Sequence, residues 1–263
     1  TWSVPYAYGV QTFGLSKPVQ GGDWFQAQSL PNWVSSTYGY AIDPKQDGYA
    51  HALAQLHKAG IRMRTSSKTI VHTDAEYTRG TLFVLRGDQT EENWTETLKS
   101  IKLSSRVAIL PMEGGHSIEG PDMGSDNVWL VEAPRVAMLT GEETSSLSSG
   151  EVWWHFEQEL EYPITRMNAS SSSPSDWEGF DVVILPSGWY GSASEAWMKA
   201  LNEYVREGGR VLALSRAVNL FKGKPGWGIE RYNDSDLEQS IRSRESEERI
   251  ANREKPFDDR ERH

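Results

Sequence analysis

Ser215 stands in Ala213-Leu214-Ser215-Arg216-Ala217, at the point where an apolar strand is expected to turn sharply into a helix. Enzymes built on open α/β sheets hold a nucleophile at such a turn, in a strained backbone conformation that needs small residues on either side. The hydroxyl attacks only with a proton acceptor in hydrogen-bond reach, and the one histidine that follows it is His263. Ser215 therefore reads as a vestigial nucleophile position without its base, and no catalytic residue is assigned; its alternative role is to cap the next helix. No thiol can replace it, because the 263 residues include no cysteine. Disulfides and thiolate zinc sites are excluded with it, and an oxidising compartment is permitted without being required.

Other chemistry-bearing residues have plainer alternatives. His116 and Glu119 have the His-x-x-Glu spacing of a zinc-ligand pair that a distant second His completes, but Gly114-Gly115 and Gly120-Pro121 around them make a loop after a strand. His72, Asp74 and Glu76 could supply three ligating groups, or form one exposed polar loop. Glu157, Glu159 and Glu161 are expected on different sides of a helix and so form no acid/base pair, with His155 a surface or packed imidazole. Trp189-Tyr190 follows Leu185-Pro186-Ser187-Gly188 at the expected carboxyl end of a strand, where open α/β sheets bind ligands. Trp189, Tyr190, Ser215 and Arg216 are therefore expected to line one crevice that takes glycan or peptide. The alternative is that they cover the sheet end or pack on a further domain.

The elements that position these residues are legible from pattern. Arg135–Thr140 and Phe180–Pro186 are apolar runs expected as strands buried on both faces, Ile164–Met167 is a weaker one, and Arg210–Leu214 returns as another. Between them, Val152, Trp153, Phe156 and Leu160 recur at helical spacing after a cap at Ser148 or Ser149. Ala196, Trp197, Ala200, Leu201, Tyr204 and Val205 form one stripe of a second helix, closed by Gly208-Gly209. Trp153 and Trp197 are expected in the core. Ser170–Ser175 is a polar connection without core residues. Alternating strands and helices imply an open, mostly parallel sheet flanked by helices.

Residues 46–130 look like a partial echo of this plan. A helix is expected over Tyr49–Lys58 and another over Glu91–Ser100, with strands at Ile61–Arg64, Thr81–Leu85 and Arg106–Pro111. Two α/β layers or one extended sheet would both fit. Residues 1–45 interleave Trp2, Tyr6, Tyr8, Phe13, Trp24, Phe25 and Trp33 with Gly and Pro, as an aromatic-rich linker or packing segment. The division is then 1–45, a small α/β subregion at 46–130, the main α/β domain at 131–232, and a charged tail at 233–263. That tail has too few apolar residues to offset its ordering entropy and is expected to be mobile, with a solvated helix around Leu237 and Ile241.

A net charge of −10 and an isoelectric point near 5.2 argue against a polyanionic partner such as nucleic acid. No run approaches the roughly 20 apolar residues of a membrane span.

Longer stretches carry a resemblance. Glu132-Ala133-Pro134-Arg135-Val136-Ala137-Met138-Leu139-Thr140-Gly141, Gly150-Glu151-Val152-Trp153 with Phe156–Leu160, and Asp181–Gly188 resemble the C-terminal, class I glutamine-amidotransferase-like region of bacterial zinc-carboxypeptidase-like proteins. Gly120–Ser125 and Arg79–Leu82 look like the segment that joins this region to the metallopeptidase domain. The resemblance implies a flavodoxin-like sheet and a fragment of a larger secreted or periplasmic protein. It also implies a zinc cofactor confined to the parent peptidase domain, and a role in buttressing or regulating that domain. Amidotransferases of this kind use Cys in Gly-x-Cys-x-Gly; here Ser215 takes the Cys position and Ala213 and Ala217 those of the glycines.

Overall fold

A computed structural model describes residues 29–72, 75–191 and 193–230, together with the single positions 17, 239 and 243. Two compact units result, Ser29–Leu220 and Thr1–Gln28 with Phe221–His263. In the second, Phe221 is buried against Trp227 with ring centroids 4.3 Å apart, and Gly223 N–H donates to Ile229 C=O. The expected aromatic segment before residue 29 and the charged tail lie almost wholly outside the described residues.

The first half of Ser29–Leu220 is an antiparallel, five-stranded sheet. Its strands in chain order are β1 (Gly39–Ile42), β2 (Arg64–Thr65), β5 (Leu82–Leu85), β6 (Leu110–Met112) and β7 (Trp129–Leu130), with spatial order β6-β1-β5-β2-β7. A two-stranded ribbon, β3 (Ile70–Val71) with β4 (Glu76–Tyr77), is inserted between β2 and β5. Helix α1 (Tyr49–Lys58) joins β1 to β2, and α2 (Trp94–Ser105) joins β5 to β6. Each of these βαβ units leaves a gap that a strand of the other fills, so every neighbouring pair runs antiparallel although each unit's own two strands run the same way. This is the split βαβ, or ferredoxin-like, plan, and it corrects the expectation of a flavodoxin-like sheet for this half.

Alternation along β1 and β5 explains why the sheet needs cover on both faces. Tyr40, Ile42, Leu82 and Val84 pack under α1 and α2 with Leu56, Trp94, Leu98 and Ile101. Ala41, Phe83 and Leu85 turn the other way onto Ile70, Tyr77, Met112 and Met123. Gly39–Ile42 had been assigned to an N-terminal packing segment, yet all four residues are buried between β5 and β6. Two expected strands shrink. Ile61 and Met63 are buried alternately but pairing begins only at Arg64, and Arg106 takes the left-handed conformation that ends α2, with φ +55°, so its strand starts at Leu110.

The second half holds a four-stranded parallel sheet: β8 (Val136–Thr140), β9 (Ile164–Asn168), β10 (Val182–Leu185) and β11 (Arg210–Ala213), in the order β11-β10-β8-β9. It does not merge with the antiparallel sheet. Helix α3 (Ser146–Trp154) lies between β8 and β9, capped by Ser145, whose hydroxyl accepts from Ser148 N–H. The cap is thus three or four residues earlier than expected: Ser148 Oγ accepts from Ser187 N–H at 3.0 Å, and Ser149 Oγ donates to Thr144 Oγ1 at 3.1 Å. A π-helical turn follows at His155–Glu159. Helix α4 (Glu195–Arg206), capped by Ser194, buries Met198, Leu201 and Tyr204, while Ala196 and Val205 face solvent. Gly208 ends it with φ +103°, as expected.

Val136, Met138 and Ile184 pack under α3 through Val152. Ala137, Leu139, Val183 and Leu185 point to the opposite face and are fully covered. Trp153 and Trp197 are only half-buried; the central tryptophan is Trp177, with no exposed surface, set edge-on between Trp197 and Tyr204 at 5.6 Å each. It sits in a 3₁₀ turn, Pro174–Trp177, closed by a reciprocal Ser173/Asp176 capping box. The polar connection Ser170–Ser175, expected to lack core residues, in fact contains buried Pro174 and leads directly into Trp177, the largest fully buried side chain of this half. β11 is an edge strand and not a buried one, with Leu212 50% exposed.

Candidate functional site at the carboxyl ends of the parallel strands

Ligands of open parallel sheets bind where the strand order reverses, between the carboxyl ends of neighbouring strands whose connections leave in opposite directions. Here that place lies between β8 and β10, and it is stitched shut. Ser145 N–H donates to Ser187 C=O at 2.7 Å, and Trp189 N–H donates to Glu143 C=O at 2.8 Å. Thr144 and Gly188 form an isolated β-bridge. A Cβ on Gly188 would stand 2.2 Å from Glu143 O, so only glycine lets the two loops close.

The stitching moves the open space one strand over, to the ends of β10 and β11. A crevice of about 340 Å³ lies there, with Trp189, Tyr190, Arg216, Asn219 and Leu220 in its wall. Tyr190 is buried, its hydroxyl donates to Pro186 C=O at 2.8 Å, and burial, with the charge of Glu143 behind it, pushes its pKa well above the ordinary tyrosine value. It serves as a fixed wall. Trp189 is the reverse, an indole 81% exposed.

Ser215 follows β11 directly, with Leu214 N–H held by Leu185 C=O at 2.9 Å. Its φ is +50°, a left-handed conformation costly for a non-glycine residue. A 3₁₀ helix, Ser215–Phe221, starts at this residue, and Ala217 is fully buried beneath it. The elbow geometry is thus present. Ser215 Oγ, however, makes no hydrogen bond among the described residues, either to a base or to the turn it begins, and it is not in the crevice wall. Of the four residues expected together, Trp189, Tyr190 and Arg216 meet and Ser215 stands aside. Asn219 and Leu220 complete the wall; one turn of helix after Arg216 is the spacing that could have pointed to them.

The remaining candidates disperse. His116 is an exposed imidazole whose Nδ1 pairs with Asp122 at 3.1 Å. The Asp122 carboxyl is held below its usual range chiefly by the backbone and hydroxyl of Ser117. Glu119 is exposed and joins the ribbon through its backbone, Val71 N–H donating to its C=O at 2.8 Å. No group of three His, Asp or Glu that could hold a metal ion occurs among the described residues. His72 is buried edge-on against Tyr77, with Asp74 outside the described residues and Glu76 exposed. His155 Nδ1 pairs with Glu159 at 2.6 Å within the π-helical turn. One pair escaped the sequence reading: His51 Nδ1 lies 2.7 Å from Ser105 Oγ. Ser105 is buried, and the pair ties α1 to the end of α2.

A second, apolar groove of about 450 Å³ separates α1 from the face of the parallel sheet, with Leu53, His57, Phe156, Leu160, Ile184 and Leu212 among its walls. Gln55 Nε2 donates to Leu160 C=O at 3.2 Å, and Lys58 pairs with Glu161 at 2.5 Å across it. Burial lowers the His57 pKa below the ordinary histidine value.

Comparison with protein-family models, curated proteins and solved structures returns no match. No helix among the described residues is long and apolar enough to cross a membrane.

Proposed function

We propose that this chain is a non-catalytic, carbohydrate-binding α/β module that uses the crevice at the ends of β10 and β11. Its setting in this reading is an accessory region of a secreted or periplasmic zinc-carboxypeptidase-like protein, which buttresses or regulates the peptidase domain. The zinc belongs to that domain. The amidotransferase-like stretches between Glu132 and Gly188 support the setting, as do the parallel strand order β11-β10-β8-β9 and the left-handed Ser215 at the turn after β11.

The observation that carries the binding role is Trp189. A tryptophan 81% exposed costs solubility unless it is used, and its flat face stacks on the apolar face of a sugar ring. Beside it, Tyr190 is locked by Pro186, and Arg216 and Asn219 offer N–H donors to ring hydroxyls. Water is displaced on one side and hydrogen bonds are supplied on the other. A hydrolytic role draws no comparable support, since Ser215 lies outside this wall.

The test is titration calorimetry against a panel of oligosaccharides and unstructured peptides. Binding of at least one oligosaccharide, weakened about tenfold or more in Trp189→Ala with an unchanged thermal midpoint, is expected. Peptide binding alone, or sugar binding indifferent to Trp189→Ala, would overturn the reading.

A further inference from the structure

We infer that the crevice selects acidic carbohydrate, with Arg216 receiving a carboxylate on the sugar; this rests on the carbohydrate reading above.

Several main-chain acceptors around the crevice already take a hydrogen bond: Pro186 C=O from the Tyr190 hydroxyl, Tyr190 C=O from Ala193 N–H, Leu185 C=O from Leu214 N–H, and Glu143 C=O from Trp189 N–H. Tyr190 cannot act as an anion of its own, because its pKa is raised. Besides Tyr190 and the Trp189 indole, the wall residues with polar side chains are Asn219 and Arg216. Arg216 is exposed and has no carboxylate partner among the described residues, unlike Arg64, paired in a two-pronged contact with Asp88, and Arg135, paired with Asp181.

A guanidinium offers five donors in a planar fork and accepts nothing, so its best partner is a carboxylate met by two parallel N–H bonds. Neutral hydroxyls use that fork poorly. Trp189 meanwhile demands a flat, partly apolar body within a space of about 340 Å³, at the small end of ligand sites. A pyranose ring bearing a carboxylate meets both demands at once. The chain's net charge of −10 disfavours anions at long range, so the selection is made by contact with Arg216 and not by steering.

The experiment compares galacturonate trisaccharide with the galactose trisaccharide of the same linkage, using the full chain as wild type, Arg216→Gln and Trp189→Ala. The acid is expected to bind roughly 10- to 100-fold more tightly than the neutral sugar, the range of a charge-assisted hydrogen bond. Arg216→Gln should erase that preference by lowering the affinity for the acid to about that for the neutral sugar, and Trp189→Ala should weaken both. Equal affinities in wild type, or a preference that survives in Arg216→Gln, would overturn the inference while leaving the carbohydrate reading intact. Absence of binding to either sugar would overturn the inference, and the carbohydrate reading would then be decided by the oligosaccharide panel.

Discussion

The two sheets of residues 29–220 use their apolar residues in opposite ways. The central strands of the antiparallel sheet are covered on both faces: Tyr40, Ile42, Leu82 and Val84 lie under helices, and Ala41, Phe83 and Leu85 lie under the ribbon and the loops beyond it, while Leu110, Trp129 and Leu130 are exposed on its edge strands β6 and β7. The parallel sheet is covered in its middle and left open at β11, where Leu212 is half exposed, and at the strand ends, where Trp189 projects. Exposed apolar surface costs free energy in water, and a projecting indole beside a crevice is the kind of surface that binds something else. In the function proposed above, the covered central strands give stability and the open strand ends of the parallel sheet give recognition.

Substitutions should separate these roles. Phe83→Ala removes a fully buried ring from the closed sheet and is expected to cost about 3–5 kcal/mol in urea unfolding, with ligand affinity unchanged in the fraction that remains folded. Gly188→Ala forces a Cβ onto Glu143 C=O and should cost about 1–3 kcal/mol. Unlike Phe83→Ala, it should also weaken ligand binding, since the stitched loops hold Trp189 in place. If affinity is preserved, the stitching does not shape the crevice.

A smaller effect concerns pH. His57 has a folded pKa below its unfolded value, so between the two the unfolded chain binds more protons. Its contribution is present above the unfolded value near 6.5 and is lost as pH falls from there toward the folded value. Asp122 and Asp181, whose pKa values are lowered by Ser117 and by Arg135, lose theirs only in the carboxylate range. Urea unfolding at several pH values should therefore show a shallow decline around pH 6 that His57→Gln removes and a second one below about pH 4 that it leaves. A single acidic decline insensitive to His57→Gln would place the imidazole in water.

Legibility in the sequence tracked how local each signal is. β8 and β10 are short apolar runs between glycine and proline breaks, and α4 carries its own cap and glycine stop, so each could be read from its own residues. β1 could not. Its partners are Leu82–Leu85 and Leu110–Met112, forty or more residues away, and nothing within Gly39–Ile42 separates a central strand from an aromatic loop. The ferredoxin-like order was hidden for the same reason, because a βαβ pattern reads alike whether its strands touch or leave room for a third. Trp177 was missed because Ser175, Asp176 and Glu178 surround it; its burial comes from Trp197 and Tyr204, contributed by a later helix. In the crevice, Trp189, Tyr190 and Arg216 were legible from the rule that parallel strands present ligands at their carboxyl ends. The separation of Ser215 from them was not, since it follows from a single left-handed residue.

Recognition by the strand ends of the parallel sheet can be read directly from backbone amide spectra of the ¹⁵N-labelled chain titrated with galacturonate trisaccharide. The shifts are expected to concentrate at residues 187–191 and 214–220, with residues 39–42 and 82–85 unmoved. Shifts centred on the closed sheet, or on Leu53, Phe156 and Leu212 around the apolar groove, would contradict it.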